Sequence, residues 1–247
     1  MRTYKTAEVA NIIGVHPNTV RLYEELRLIP KPERLHNGYR IFTDLHIQQF
    51  QLARTALEIE VLQNGLRKKI MDVVKTSAAC NFDKALALTK DYLEQIHMEQ
   101  QNASEAIEIA TQLLKGNEIQ ARLKLKRKEV SEYLGLSMDC LRNWEMNGLL
   151  QVKRKENGYR VYTNADIQRL KIIRSLRCGG YSLAAILRML TELSVNPNTN
   201  VKLTLNTPRP DEDIITVCDR LITSLTAAEA NALVITQILI DMKEKYL

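Results

Sequence analysis

Cysteine is scarce and scattered in this 247-residue chain. The four present, Cys80, Cys140, Cys178 and Cys218, form no Cys-x-x-Cys and have no histidine pair beside them, which excludes a disulfide framework and a zinc site built on clustered ligands. The four histidines, His16, His36, His46 and His97, are just as dispersed. With no glycine-rich phosphate loop and no nucleophile–base pair, nothing points to an enzyme. No unbroken apolar run is long enough to span a bilayer. The N-terminus, Met1-Arg2-Thr3-Tyr4-Lys5, leads straight into patterned sequence rather than a signal peptide. The expectation from these absences is a cytoplasmic chain with reduced thiols, no membrane partner, no metal and no cofactor.

What is present is charge in blocks and a repeat. The net charge is +6. It divides into +4 over residues 1–75, −4 over 76–119, +9 over 120–190 and −3 over 191–247. Two basic segments separated by acidic ones suit two polyanion-binding surfaces on a scaffold that does not bind polyanion. The same division appears in the residues themselves. Lys5, Glu8, Val9, Gly14, Arg21 and Glu24 recur as Lys126, Glu129, Val130, Gly135, Arg142 and Glu145. After a one-residue slip, Asn37-Gly38-Tyr39-Arg40 recurs as Asn157-Gly158-Tyr159-Arg160, and Thr43 and Ile47 recur as Thr163 and Ile167. A fixed offset broken once is the mark of two copies of one folded unit with the gap in a loop.

Each copy reads as helix, tight turn, helix, loop, short strand, helix, helix. In the first, Thr6 is expected to cap a helix whose apolar positions are Val9, Ile12 and Ile13, ending at Gly14. His16-Pro17 opens the second helix, on which Val20, Leu22 and Leu26 recur. In the second copy Gly135 ends the first helix and Ser137 caps the next. Two short helices joined by about three residues with a glycine describe a helix-turn-helix. A basic loop and Asn-Gly then lead to Tyr39-Arg40-Ile41-Phe42 and to Tyr159-Arg160-Val161-Tyr162, which alternate like the strand of a small wing. Thr43 and Thr163 cap the following helices, Asp166 completing a capping box. Because Arg27 stands where the second copy has Gly148, the first copy is expected to turn differently after its second helix. A last helix in copy two starts at Ser182, after Gly179-Gly180, and carries Leu183, Ile186, Leu187 and Leu190.

Thr19-Val20-Arg21-Leu22-Tyr23-Glu24, Leu28-Ile29-Pro30 and Asn37 to Phe42 together resemble the MerR family of bacterial regulators. Cys140-Leu141-Arg142-Asn143-Trp144-Glu145, Gly148-Leu149-Leu150 and Asn157 to Tyr162 repeat that resemblance, so the chain looks like a tandem-head member. The resemblance implies a mainly α fold: two winged helix-turn-helix domains joined by a long helical segment, with a C-terminal helical region. The expected boundaries are 1–75 and 122–193 for the heads, 76–121 for the acidic helical linker, and 194–247 for a loop and C-terminal helices. It also implies a major-groove helix reading double-stranded promoter DNA through Asn18, Thr19 and Arg21 in head one and Met138, Asp139 and Arg142 in head two. Tyr23 and Trp144 stand at the family's phosphate-contacting aromatic. Tyr39, Arg40, Tyr159 and Arg160 would contact the backbone from the wing, Lys153 and Arg154 from the loop, and Thr6 and Arg127 from the start of each first helix. RNA polymerase is an implied partner. The metal sensors of the family cluster cysteines near the end of their dimerisation helix, and this chain does not.

Between the heads Phe82, Leu86, Thr89, Leu93, Ile96, Gln100, Ala103, Ile107, Ala110 and Leu114 fall at alternating four- and three-residue steps, a helical seam. Leu221, Leu225, Ala228, Ala232, Ile235, Leu239, Met242 and Tyr246 form a second. The sequence leaves open whether the seams pair within one chain or between two; the resemblance assigns such a helix to a homodimer. The function expected is a cytoplasmic, nucleoid-associated transcriptional regulator that distorts promoter DNA. The alternative is a DNA-architectural or recombination accessory protein of the excisionase kind.

Overall fold

The computed structural model describes residues 2–58, 65–114, 124–154, 158–184, 186–187, 190 and 214–246. Lys155, Asn157, the proline-bearing loop residues 195–213 and residues 59–64 lie outside them. The chain divides into two compact units, Met1–His97 with Ser224–Leu247, and Met98–Thr223.

In the first unit β1 (Thr3–Tyr4) leads into α1 (Thr6–Ile13) and α2 (Pro17–Glu25), followed by β2 (Glu33–Arg34), β3 (Arg40–Thr43), α3 (Asp44–Leu57) and α4 (Leu66–Ala78). The strands form an antiparallel sheet in the order β1-β3-β2, with Tyr4 opposite Phe42 and Arg34 opposite Arg40. Val9, Ala10, Val20, Ile29, Phe42 and Phe50 make the core. Ile12, Leu22 and Leu26, expected on the buried faces, are about half exposed: helices of eight and nine residues have room to bury only Val9, Ala10 and Val20. Thr6 does not cap α1 but is its first residue. Lys5 is the cap, its N–H donating to the Glu8 carboxylate at 2.6 Å. Helix α2 opens at His16-Pro17 as expected, and the His16 Nδ1 caps it by accepting from the Asn18 N–H at 3.2 Å.

The second unit repeats this order with β4 (Lys124–Leu125), α6 (Arg127–Leu134), α7 (Met138–Met146), β5 (Tyr162–Thr163) and α8 (Asn164–Cys178), after the long helix α5 (Phe82–Leu114), which both units share. Strands β4 and β5 pair antiparallel, and an isolated bridge joins Arg154 to Arg160. Among the described residues after Gly180, Leu183, Ala184, Ile186, Leu187 and Leu190 are helical. Ile186 and Leu190 are buried with Val130, Leu141, Trp144, Tyr162 and Leu170.

Both heads turn alike after the second helix, contrary to the expectation from Arg27. Arg27 has φ +58° and Gly148 φ +77°. Leu28 N–H donates to the Tyr23 carbonyl at 2.8 Å, as Leu149 N–H does to that of Trp144 at 3.0 Å. The hydrogen bonds dictate a left-handed residue here and glycine supplies it without cost, whereas arginine's Cβ crowds the following carbonyl. Arg27→Gly is expected to stabilise head one by about 1 kcal/mol, read as a higher urea midpoint with an unchanged slope.

Position 49/169 is a support the sequence reading passed over. Gln49, fully buried, donates to the carbonyls of Leu28 and Val74, both at 3.0 Å, and accepts from Ser77 at 2.6 Å. In head two the Arg169 Nε donates to the Leu149 carbonyl at 2.7 Å. Each side chain ties the third helix of its head to the turn that ends the second helix.

The third helix is capped differently in the two heads. Asp166 accepts from the Thr163 N–H and hydroxyl at 2.8 and 2.7 Å. At the same place in head one His46 Nδ1 accepts from the Thr43 N–H at 3.0 Å, so this nitrogen is unprotonated. Burial holds the His46 imidazole below its usual range, opposed by the nearby Pro30 carbonyl. A folded pKa below the unfolded one means that protons favour the unfolded chain. Head one is therefore expected to keep its full stability above about pH 6.5, the unperturbed value, and to lose part of it as the pH falls below that. Thermal melting across this range, with His46→Asp as the variant that removes the histidine term, checks it.

The first seam is rotated by one residue at alternate steps. Ala85, Tyr92, Glu99 and Ala106 are buried, while Leu86, Leu93, Gln100 and Ile107 are half-buried. Ala110 and Leu114 lie where side chains are outside the description. The second half of α5 is no bare spacer. Arg174 pairs with the buried Glu99 at 2.9 Å, and Ser175 Oγ donates to the Asn102 carbonyl at 3.1 Å. The second seam holds as expected from Leu221 to Met242 in α9 (Ile214–Tyr246), with Tyr246 half-buried. By length and composition alone α9 from Leu221 could cross a membrane, although polar residues interrupt its apolar ones.

Candidate nucleic-acid interface

In each head the second helix presents its outer face to solvent and carries an arginine one turn in from its start. Asn18 and Arg21 are exposed on α2 and Thr19 is half-buried; Met138, Asp139 and Arg142 are all exposed on α7. Arg21 Nη1 donates to Asn18 Oδ1 at 3.1 Å, which holds its guanidinium toward the start of the helix. Among the described residues Arg142 forms no ion pair, so its five donors are open to a base edge or a phosphate.

The wing is fastened to this helix by one glutamate per head. Glu24, near the end of α2, has its side chain 11% exposed and pairs with Arg40 of β3 and with Arg34 of β2, the latter at 3.3 Å. Glu145, at the same place in α7 and 9% exposed, pairs with Arg160 at 2.5 Å and takes two bonds from Arg127 at 2.8 Å each. It also accepts from the Tyr162 hydroxyl. Burial alone would raise the Glu145 carboxyl, but hydrogen bonds from Tyr162 and Arg127 and the charges of Arg127 and Arg160 outweigh it and hold it below the ordinary glutamate value. Burial first, then the bond to Glu145, pushes Tyr162 up to about 12.

This geometry redistributes the residues singled out from sequence. Arg40, Arg160 and Arg127 are half-buried and engaged with glutamate, so in the free protein they orient the wing rather than stand open to a phosphate. Trp144, expected at the phosphate, is 4% exposed inside the head-two core. The helix buries Leu141 and the residue three on, which places the indole inward. Tyr23 stacks on Phe50 with ring centroids 5.0 Å apart and is half-buried. Thr6 is half-buried at the first turn of α1. Tyr39, Tyr159, Lys153 and Arg154 are exposed along the wings.

Sequence reading missed Arg34. It pairs across the wing with Arg40 as Arg154 does with Arg160, and the wing's own offset in the repeat would have found it. It also gave Glu24 and Glu145 no task, although both recur at the offset of the helix. Among the described residues no three histidine, cysteine, aspartate or glutamate side chains are grouped to hold a metal ion.

Two segments of the chain match family models. Residues 5–42 match the MerR family regulatory protein and residues 125–193 the MerR HTH family regulatory protein. Among curated proteins, the chain is 31% identical over 77 residues to the mercuric resistance operon regulatory protein of Bacillus cereus, a match covering 31% of this chain and 58% of the relative. It is 38% identical over 53 residues to the HTH-type transcriptional regulator CueR of Escherichia coli, covering 22% of this chain and 39% of the relative. It is 25% identical over 117 residues to the uncharacterized HTH-type transcriptional regulator YyaN of Bacillus subtilis, covering 43% of this chain and 85% of the relative. The chain thus spans little more than half the length of the first of these relatives and less of the second. No solved structure matches it.

Proposed function

We propose that this chain, which matches MerR-family models over residues 5–42 and 125–193, binds double-stranded promoter DNA sequence-specifically through both heads and regulates transcription by distorting that DNA. The observation that carries the reading is the twice-built pairing of an exposed recognition helix with a wing clamped to it by Glu24 or Glu145. A wing held at a fixed angle to the helix lets phosphate contacts set the register in which Arg21 or Arg142 meets a base edge.

In this reading Asn18, Thr19 and Arg21 read one half-site and Met138, Asp139 and Arg142 another. Tyr39, Tyr159, Lys153, Arg154 and the outer side of Arg34 approach phosphates. The half-sites differ because the reading residues differ. The protein acts in the cytoplasm on the nucleoid, with RNA polymerase at the bound promoter as its partner.

Salt dependence tests the DNA contact. With several phosphates neutralised across two heads, affinity is expected to fall by roughly 100-fold or more between about 50 and 200 mM salt. A flat dependence contradicts DNA as the ligand. A reporter fused to the bound promoter tests regulation. Transcription that does not respond to the protein, at a site it occupies, favours the architectural or recombination role instead.

A further inference from the structure

The helix that follows head one pairs with the helix that follows head two inside a single chain. At one end Lys243 of α9 pairs with Asp83 of α5. At the other, His97 Nε2 of α5 lies 2.9 Å from Glu229 Oε1 of α9. Going from Asp83 to His97 on one helix runs from Lys243 back to Glu229 on the other over the same number of residues, so the helices are antiparallel and in one unbroken register. Asn231 Nδ2 adds a bond to the Thr55 carbonyl of α3 at 3.2 Å.

Between those two pairs each helix carries one buried stripe. On α5 it is Phe82, Ala85, Thr89, Tyr92 and Ile96; on α9 it is Ala228, Ala232, Ile235, Leu239 and Met242. The register sets large residues against small ones. Leu239 comes level between Ala85 and Thr89, and Ile96 between Ala228 and Ala232. That is the large-to-small alternation that fills a helix interface without voids. Tyr92 comes level with Ile235 instead, so a large pair fills the middle of the seam between those two small-to-large contacts.

We infer that α9 closes the seam of α5 in cis, taking the place a second subunit's helix would occupy, so that one chain is a complete two-headed reader. A seam filled from within the chain is not open to a second copy. The homodimer expected from the family resemblance gives way to a monomer on a single asymmetric site. The last clause rests on the DNA-binding reading above; the closure itself does not.

The test uses the full-length protein without DNA, so its failure is distinguishable from failure of the DNA-binding reading. Chains of ordinary and nitrogen-15 composition are mixed, unfolded and refolded together. A carbodiimide then couples the Asp83 carboxylate directly to the Lys243 amine, and the linked peptides are weighed. Cis closure gives linked peptides that are all light or all heavy, and light scattering gives the mass of one chain throughout the micromolar range. Mixed light–heavy peptides, about half of the total for random exchange between two chains, overturn the inference. So does the absence of any Asp83–Lys243 link, or a mass of two chains, for which the exposed Leu233 and Val234 on the outer side of α9 are the available surface.

Discussion

Arg142→Ala is expected to lower affinity for the chain's own DNA site by about 10- to 100-fold and to leave binding to unrelated duplex almost unchanged. The side chain is exposed on α7, one turn from its start, and makes no ion pair among the described residues. Its removal therefore costs the fold little, while a bidentate arginine–guanine contact discriminates against the wrong base by about 1–3 kcal/mol. Arg21→Ala is expected to act in the same way on the other half of the site. The Asn18 bond that pre-orients Arg21 makes Asn18→Ala a weaker copy of it. Losing both arginines should cost more than either alone, because one head holding its half-site raises the effective concentration of the other. Competition binding against the cognate and a scrambled duplex measures this. Equal loss on both duplexes would mean that Arg142 meets only phosphate.

Glu145→Ala is expected to destabilise head two by about 2 kcal/mol and to weaken binding to all sequences alike. Removing the shared carboxylate leaves Arg127, Arg160 and the Tyr162 hydroxyl without their partner. Breaking a fully buried pair from one side costs about 3–5 kcal/mol. The smaller figure applies because the arginine side chains keep 23% and 29% of their surface exposed. Glu145→Gln, which preserves shape and hydrogen-bonding oxygen, should lose less. The depressed Glu145 carboxyl fixes the sign of the pH effect. The clamp contributes fully above the ordinary glutamate range and weakens as pH falls through the folded value. Urea unfolding of the full chain at neutral pH, monitored by Trp144 in the head-two core, reports it. An unchanged midpoint would assign the wing's position to something other than the glutamate.

The repeat made most of the fold legible, because helix ends and turns are written in local chemistry. Gly14, Pro17, Gly135, Ser137, Thr163 and Asp166 fixed the helix boundaries through backbone conformations and caps that only a few residue types supply. What the sequence hid was set by contacts far along the chain. Arg40 and Arg160 look like free wing cations until the chain brings Glu24 and Glu145 beneath them. Trp144 looks like a surface aromatic until its helix is rotated onto the core. The two-residue strands β1 and β4 have no periodicity to show, and exist because Tyr4 and Leu125 meet Phe42 and Tyr162. The first seam came out rotated at alternate steps because the apolar Ala85, Tyr92 and Ala106 stand beside Leu86, Leu93 and Ile107, while Glu99 is drawn inward by its pair with Arg174. The pairing of the seams was invisible, since matching stripes state that a partner exists and not which chain it is on.

If the two heads read different half-sites, as proposed, they leave a bipartite trace on DNA. Footprinting of the full-length protein on duplex selected from random sequence tests this most directly. The account predicts two unlike protected segments, one weakened by Arg21→Ala and the other by Arg142→Ala. A single segment that either variant leaves intact, or two identical segments related by symmetry, would contradict it.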